Sequence, residues 1–199
     1  MKPVVSICGT SRPDNYTSQA LAVVNERMRS AGAKVVEFDA RELDLNFPGQ
    51  PMTDDARRLR EAIKACDVVV LATPEYHGTF AAMTKLIIEN LGFPSALEGK
   101  TMSLLGVAAG RIGAIKSLEH LRGVCAHVGA VVLPGAVSVA GVQKAFDEQG
   151  NCTDENVAKM LEGLADNTVS YIREYVCPSY VLEAKTRADE DAEPWSFTM

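Results

Sequence analysis

Five short apolar runs alternate with five amphipathic segments along this chain, and that alternation leaves few folds open. The runs are Val4-Val5-Ser6-Ile7-Cys8, Lys34 to Phe38, Asp67 to Thr73, Thr101 to Ala108 and Ala130 to Leu133. The third, DVVVLAT, is the most strand-like and reads as a central parallel strand buried on both faces; the second reads as half-exposed. Between the runs, apolar residues recur at helical spacing. Leu21, Val24, Met28 and Ala31 mark the first helix, stopped by Gly32. Leu59, Ala62, Ile63 and Cys66 mark a second over Thr53 to Cys66, and a third runs from Phe80 to Leu91. Leu118, Leu121, Cys125 and Val128 mark the fourth. The fifth carries Val157, Met160, Leu161, Leu164, Thr168 and Ile172, with Thr153 or Asp154 as its cap and Pro178 as its end. Right-handed crossovers between parallel strands need a helix between them, so this order predicts a parallel sheet with helices on both faces. In open sheets of that kind the ligand lies beyond the carboxyl ends of the strands, at the switch in strand order. The loops after the first, third and fourth runs are therefore the candidate site.

Composition narrows the function. The chain has 199 residues, 47% hydrophobic and 23% charged, which suits one domain with a full core. Its net charge of −6 argues against a broad nucleic-acid or anionic-membrane surface. The five cysteines, at 8, 66, 125, 152 and 177, are odd in number and widely spaced, with no C-x-x-C, so no metal site is expected. Cys8, Cys66 and Cys125 sit in apolar runs and read as core. No signal peptide and no span of about 20 apolar residues appears, so a reducing cytoplasm is expected. Val142 to Asn151 reads as a surface excursion. The boundary falls near Pro178: residues 1–178 form the domain, and residues 179–199, with the acidic stretch Asp189-Glu190-Asp191, read as a disordered tail or an arm held by another subunit.

The loop after the first run is Gly9-Thr10-Ser11-Arg12-Pro13-Asp14-Asn15-Tyr16-Thr17-Ser18. It places hydroxyls and one cation before a helix N-terminus, where free N–H groups attract an anion. A terminal phosphate monoester suits those groups, since a guanidinium grips two of its oxygens side by side. Taken alone, the loop fits a phosphate site and an ordinary turn capped by Thr17 or Ser18 equally well. It is not a P-loop, lacking G-x-x-x-x-G-K-[ST], and it lacks the dinucleotide fingerprint G-x-G-x-x-G. The loop after the third run is Pro74-Glu75-Tyr76-His77-Gly78-Thr79. Pro74 stops the strand, and Gly78 admits close backbone approach. A lone loop Tyr more often packs than binds, and a lone loop His is more often solvated. The loop after the fourth run carries Gly110, Arg111 and Gly113; Arg111 fits an anion contact or simple solvation equally.

These three motifs, with His120-Leu121-Arg122 after the last, resemble the NADPH-dependent FMN reductase family of flavin, quinone and azo reductases. The resemblance runs from about residue 3 to residue 170. It implies a flavodoxin-like α/β fold, an open five-stranded parallel sheet of order 2-1-3-4-5 with helices on both faces, and FMN at its edge. It places Thr10, Arg12, Asn15 and Thr17 at the FMN phosphate, Pro74, Glu75, Tyr76, His77 and Gly78 along the flavin ring, and Gly110 and Arg111 in the third flavin-facing loop; Ser11 and Tyr16, in the first loop, are further cofactor-binding candidates. Three positions depart from the family pattern. Thr10 replaces a usual Ser and keeps the hydroxyl; His77 replaces a usual Asn; Ala81-Ala82 replaces a Pro-Gly pair.

The expected activity is hydride transfer from NADPH or NADH to FMN and then to a small acceptor: a flavin, quinone, azo compound or metal ion. The flavin carries the chemistry, so no catalytic side chain is assigned. The alternative is a flavodoxin-type electron carrier that docks protein partners. Helix 3 carries Phe80, Ala81, Ala82, Met83, Leu86, Ile87, Ile88 and Leu91 against only Thr84, Lys85, Glu89 and Asn90. That predicts two buried faces, one of them on another copy, in a homodimer or homotetramer. Neither nucleic acid nor membrane is expected as a partner.

Overall fold

The computed structural model describes residues 2–188. Seven strands and six α-helices follow one another: β1 Val4–Cys8, α1 Tyr16–Ser30, β2 Val35–Asp39, α2 Asp54–Ala65, β3 Val68–Tyr76, β4 Thr79–Phe80, α3 Ala82–Glu89, β5 Thr101–Val107, α4 Ile115–His127, β6 Val131–Val132, β7 Val137–Val139, α5 Glu155–Tyr171 and α6 Cys177–Ala188. The main sheet runs β2-β1-β3-β5-β6, all parallel. This is the expected order 2-1-3-4-5, because β5 is the fourth of the long strands.

Two details depart from five simple strands. The last strand is broken: Val131–Val132 pairs with the start of β5, and Val137–Val139 pairs with its end. Pro134 and Gly135, the latter at φ 82°, lie between the two pieces and interrupt the run. The second departure is at Pro74–Thr79, expected as a loop. There β3 continues to Tyr76 and turns back into β4 as an antiparallel hairpin, with Glu75 opposite Phe80 and Tyr76 opposite Thr79. The hairpin takes Phe80 out of the third helix, which starts at Ala82 and stops at Glu89.

Alternation along the buried strands sends side chains to opposite faces, and each face has its own core. Val4, Val68, Val70, Ala72 and Leu105 pack against α1 and α5, through Leu21, Val24 and Met28 and through Leu161, Leu164 and Val169. Val5, Ile7, Val69, Leu71 and Leu104 pack against α2, α3 and α4, through Leu59, Ile63, Ile87 and Leu121, and against Leu91 just after α3. Val142, Ala145 and Phe146 belong to the first core, so the segment after β7 is not a surface excursion. Met160, expected on the α5 stripe, is exposed. Thr168 is buried there and meets the Ser103 hydroxyl at 2.7 Å. Cys8, Cys66 and Cys125 are buried, and burial pushes their thiols up to about 12, 11 and 12. They are neutral core residues at physiological pH.

Pro178 does not end the helical run. A π-helical turn, Ile172–Val176, follows α5, and Pro178 is the second residue of α6. The helical run is unbroken here, and the widened π-helical turn lies directly before the proline, whose missing N–H and ring the preceding turn must accommodate. Residues 179–188 therefore continue in helix beyond the expected boundary. Tyr180 donates to the Asp67 carboxylate, which also accepts from Lys2 Nζ at 3.0 Å, and the Lys2 ammonium sits 4.9 Å from the Tyr180 ring centre. The start of α6 thus docks at the amino ends of β1 and β3. The acidic stretch and the end of the expected arm, from 189 onward, lie outside the described residues.

At the opposite, carboxyl ends of the strands, one glycine fixes the spacing. A Cβ on Gly9 would lie 2.3 Å from Thr84 Oγ1 and 2.8 Å from the Ala72 carbonyl oxygen. Backbone cannot yield as a flexible side chain does, so Gly9→Ala should cost roughly 1–3 kcal/mol through overpacking. Urea denaturation checks this; an unchanged midpoint would show that β1, β3 and α3 are not held this closely.

Candidate functional site

The sheet order reverses at β1. From it the chain goes first to β2 on one side and then to β3 on the other. The loops leaving β1 and β3 therefore part at their carboxyl ends, and a cleft of about 430 Å³ lies there. Thr10, Ser11 and Arg12 line one side; Tyr76 and the start of α3, Ala81 to Met83, line the other.

The first wall is built by a helix cap. Asn15, not Thr17 or Ser18, caps α1: its Oδ1 accepts the Ser18 N–H at 2.8 Å and its Nδ2 donates to the Arg12 carbonyl at 2.8 Å. Both ends of the amide are thus used within the loop. Asp14 takes φ 47°, a left-handed conformation that Asp tolerates, and this lets the chain turn sharply into the helix. The Arg12 N–H donates to the Thr10 hydroxyl at 3.3 Å. Thr10 and Thr17 are buried, while Ser11 and Arg12 are exposed. The Tyr16 ring packs against Phe146 at 6.3 Å between centres, in the core rather than toward the cleft. Thr10, Ser11 and Arg12 line the cleft, and the first N–H groups of α1 other than that of Ser18 have no intrahelical acceptors.

A chain of hydroxyls ties that wall to the other. The Ala81 N–H donates to Thr73 Oγ1 at 3.1 Å, Thr73 Oγ1 lies 2.9 Å from Thr84 Oγ1, and the Thr84 hydroxyl donates to the Gly9 carbonyl at 2.7 Å. Thr73 and Thr84 are fully buried. The sequence marks Thr84 only as a polar residue in an apolar helix, and that mismatch was the available signal.

The hairpin divides its residues among different neighbours. Pro74 is buried inside β3. The Glu75 carboxylate accepts the Ser117 N–H at 3.1 Å, at the start of α4, a helix whose N-cap position is Ala114 with no side-chain cap. An anion at a helix N-terminus is favourable, so Glu75 caps α4 from another element. Tyr76 is 36% exposed and faces the cleft. His77 and Gly78 form the tip, at φ 52° and 78°. Two successive residues at positive φ make the type I′ turn that strand twist favours, and Asn-Gly is its preferred pair. His77 lines a second hollow with Phe47, Phe80 and Leu86, not the cleft.

Gly110 and Arg111 are exposed on the loop after β5 and do not line the cleft. A Cβ on Gly110 would meet nothing within 4 Å, whereas one on Gly113, at φ 80°, would lie 2.5 Å from Ser138 Oγ. Protein packing therefore requires Gly113 but not Gly110.

Residues 2–144 match the family model described as NADPH-dependent FMN reductase. The chain belongs to that family. It is 29% identical over 166 residues to an NAD(P)H-dependent FMN reductase of Pseudomonas aeruginosa, covering 80% of this chain and 89% of that one. It is 26% identical over 185 residues to a 2-hydroxy-1,4-benzoquinone reductase of a Burkholderia species, covering 86% of this chain and 96% of that one. Among solved structures, a flavoenzyme NAD(P)H:acceptor oxidoreductase from Paracoccus denitrificans superposes with a TM-score of 0.71 at 24% identity, over 88% of this chain and 99% of that one. That likeness shows the flavodoxin-like fold.

The turn chemistry yields a stability test. His77→Asn should hold or raise the melting temperature, since Asn suits the left-handed position. His77→Val should cost roughly 1–2 kcal/mol, because left-handed backbone crowds a Cβ. Thermal unfolding of both variants checks this; equal losses would contradict the I′ assignment.

Proposed function

We propose that the cleft between the α1 cap and the β3–β4 hairpin seats FMN, with its phosphate on the first wall and its ring toward Tyr76. One observation carries this reading. Two hydroxyls and a guanidinium, from Thr10, Ser11 and Arg12, line one side of a cleft whose other side offers a tyrosine and the small residues Ala81 and Ala82. The donor set fits a phosphate monoester. Thr10, Ser11, Arg12 and the α1 N-terminus hold it, while Asn15 and Tyr16 shape the loop that presents them. Thr17 serves from the first turn. Pro74 and Glu75 hold the hairpin that carries Tyr76, His77 and Gly78, while Gly110 and Arg111 lie outside the cleft and are given no contact with the ring.

The chain is an NAD(P)H-dependent oxidoreductase of the FMN reductase family. Bound FMN supplies the hydride chemistry, drawn from NADPH or NADH and passed on to an acceptor. The residues bind and orient it. Backbone N–H groups near the hairpin tip are the donors available to charge gained on reduction. We assign the acceptor to small molecules of the quinone, azo, flavin or metal-ion kind. The electron-carrier alternative gains no support, because the family and the relatives bear enzyme names. The odd, widely spaced cysteines support a cytoplasmic setting, and among the described residues no helix is long and apolar enough to cross a membrane.

We also propose a homo-oligomer, on grounds the structure shifts. The apolar residues of α3 are largely taken by its own core: Ile87 and Ile88 are buried and Met83 is partly buried. Its outward side carries the Lys85–Glu89 ion pair. The apolar surface lies instead beside it, in a groove of about 800 Å³ between α3 and α4 that includes Ile88, Phe93, Val124 and Val128. Phe93 is 100% exposed, and burying a phenylalanine gains about 1.5–3 kcal/mol. A second copy seated there would cover it.

Arg12→Ala should weaken FMN binding by roughly 1.5–3 kcal/mol, about ten- to a hundredfold, since a charge-assisted contact is lost. Anaerobic NADPH should still bleach the flavin that remains bound. Unchanged affinity would remove Arg12 from the phosphate site. Sedimentation at micromolar concentration should show a dimer or larger species, and Phe93→Asp should shift it toward monomer; a wild-type monomer would refute the oligomer.

A further inference from the structure

The hairpin facing the cleft is too short to order itself. It has two residue pairs, Glu75 with Phe80 and Tyr76 with Thr79, and an isolated two-stranded hairpin is marginal even at greater length. Its tip places a histidine in a left-handed conformation. Its base is held by Phe80, packed on the second core, and by the Ala81–Thr73 hydrogen bond; toward the tip, among the described residues, two further hydrogen bonds tie it, both from α4. The first is the Ser117 N–H to Glu75, on the outgoing strand. The second reaches the returning strand: His120 Nδ1 lies 3.0 Å from Thr79 Oγ1.

The second tie is the one placed to govern the site. Thr79 is the cross-strand partner of Tyr76, and the two flank the turn. Glu75 lies one pair farther from the tip. The rest of α4 is anchored independently, with Leu118, Leu121 and Cys125 in the core and Arg122 donating to the Leu133 carbonyl at 3.1 Å. His120 therefore projects from an independently anchored helix onto a turn with few contacts of its own.

We infer that His120 is a positioning residue, latching the Tyr76–Thr79 turn to α4 and so setting where Tyr76 stands over the flavin cleft. This rests on the reading that the hairpin faces FMN. The interaction needs no particular protonation state: a neutral ring accepts from the Thr79 hydroxyl or donates to it, according to its tautomer, and a charged ring donates.

The test compares wild type, His120→Ala, His120→Asn, Thr79→Val and the double variant His120→Ala/Thr79→Val. The first readout is amide hydrogen exchange across residues 75–80 in protein stripped of flavin. His120→Ala and Thr79→Val should each speed exchange at the turn severalfold, and the double variant should be no faster than either, because one contact is lost in all three. His120→Asn should restore protection, since its amide sits near the position of Nδ1. The second readout is FMN affinity and the visible circular dichroism of bound FMN. Affinity should fall threefold to tenfold in His120→Ala with an altered flavin spectrum, and both should recover in His120→Asn. Unchanged turn exchange in His120→Ala, or additive effects in the double variant, would overturn the latch. A looser turn with unaltered affinity and spectrum would overturn the positioning role. A wild-type protein that takes up no FMN would defeat the flavin reading, while the exchange data would still decide whether the latch exists.

Discussion

The hydrogen bond from the Thr84 hydroxyl to the Gly9 carbonyl holds the site's parts in one place. It joins the end of β1 to the first turn of α3, and through Thr73 it reaches the end of β3. A buried carbonyl without a partner would cost about 1–3 kcal/mol, so Thr84 does more than fill space. Its approach is possible only because residue 9 has no side chain. The loop after β1 begins immediately after Gly9, and the segment leading into the hairpin begins immediately after Thr73. A short chain of hydroxyls thus sets the separation of the two walls before either wall is considered.

From that fixed origin the two walls are stiffened by different means. The loop after β1 is stiffened from within, by the Asn15 amide that closes on the Arg12 carbonyl and the Ser18 N–H. The hairpin is stiffened from without, by α4. The consequence is an uneven cleft, with one wall closed on itself and another whose order depends on contacts to a neighbouring helix. That division suits a cofactor gripped by its phosphate while its ring must remain approachable for hydride delivery and for an acceptor.

The fold was largely legible because burial imposes period and length. Runs such as Val4 to Cys8 and Asp67 to Thr73 admit few alternatives, and the helices between them force parallel neighbours. The misses share a physical cause: each depends on a long-range contact or on a backbone conformation that side-chain pattern does not encode. Pro74 looked like a stop, yet β3 runs through it, and the His77-Gly78 pair turns the strand back. Pro178 looked like an end, yet the helical run continues through it, with a π-helical turn directly before it. Of the site, Thr10, Ser11, Arg12 and Tyr76 were legible and do meet at one cleft. Asn15 and Glu75 were noticed, but their roles were not, because each carboxamide or carboxylate is turned toward a helix N-terminus. Ala81 and Ala82 stood out only as a departure from the family pattern.

The central claim is that the loop after β1 is a phosphate-monoester site serving a flavin. Calorimetric titration of flavin-free protein with FMN and with riboflavin tests it most directly, because the two ligands share the ring and differ only in the phosphate. The account predicts that FMN binds about a hundredfold or more tightly than riboflavin, on the order of 3 kcal/mol from charge-assisted contacts. Equal affinities would contradict it, since the loop would then contribute nothing to holding the cofactor.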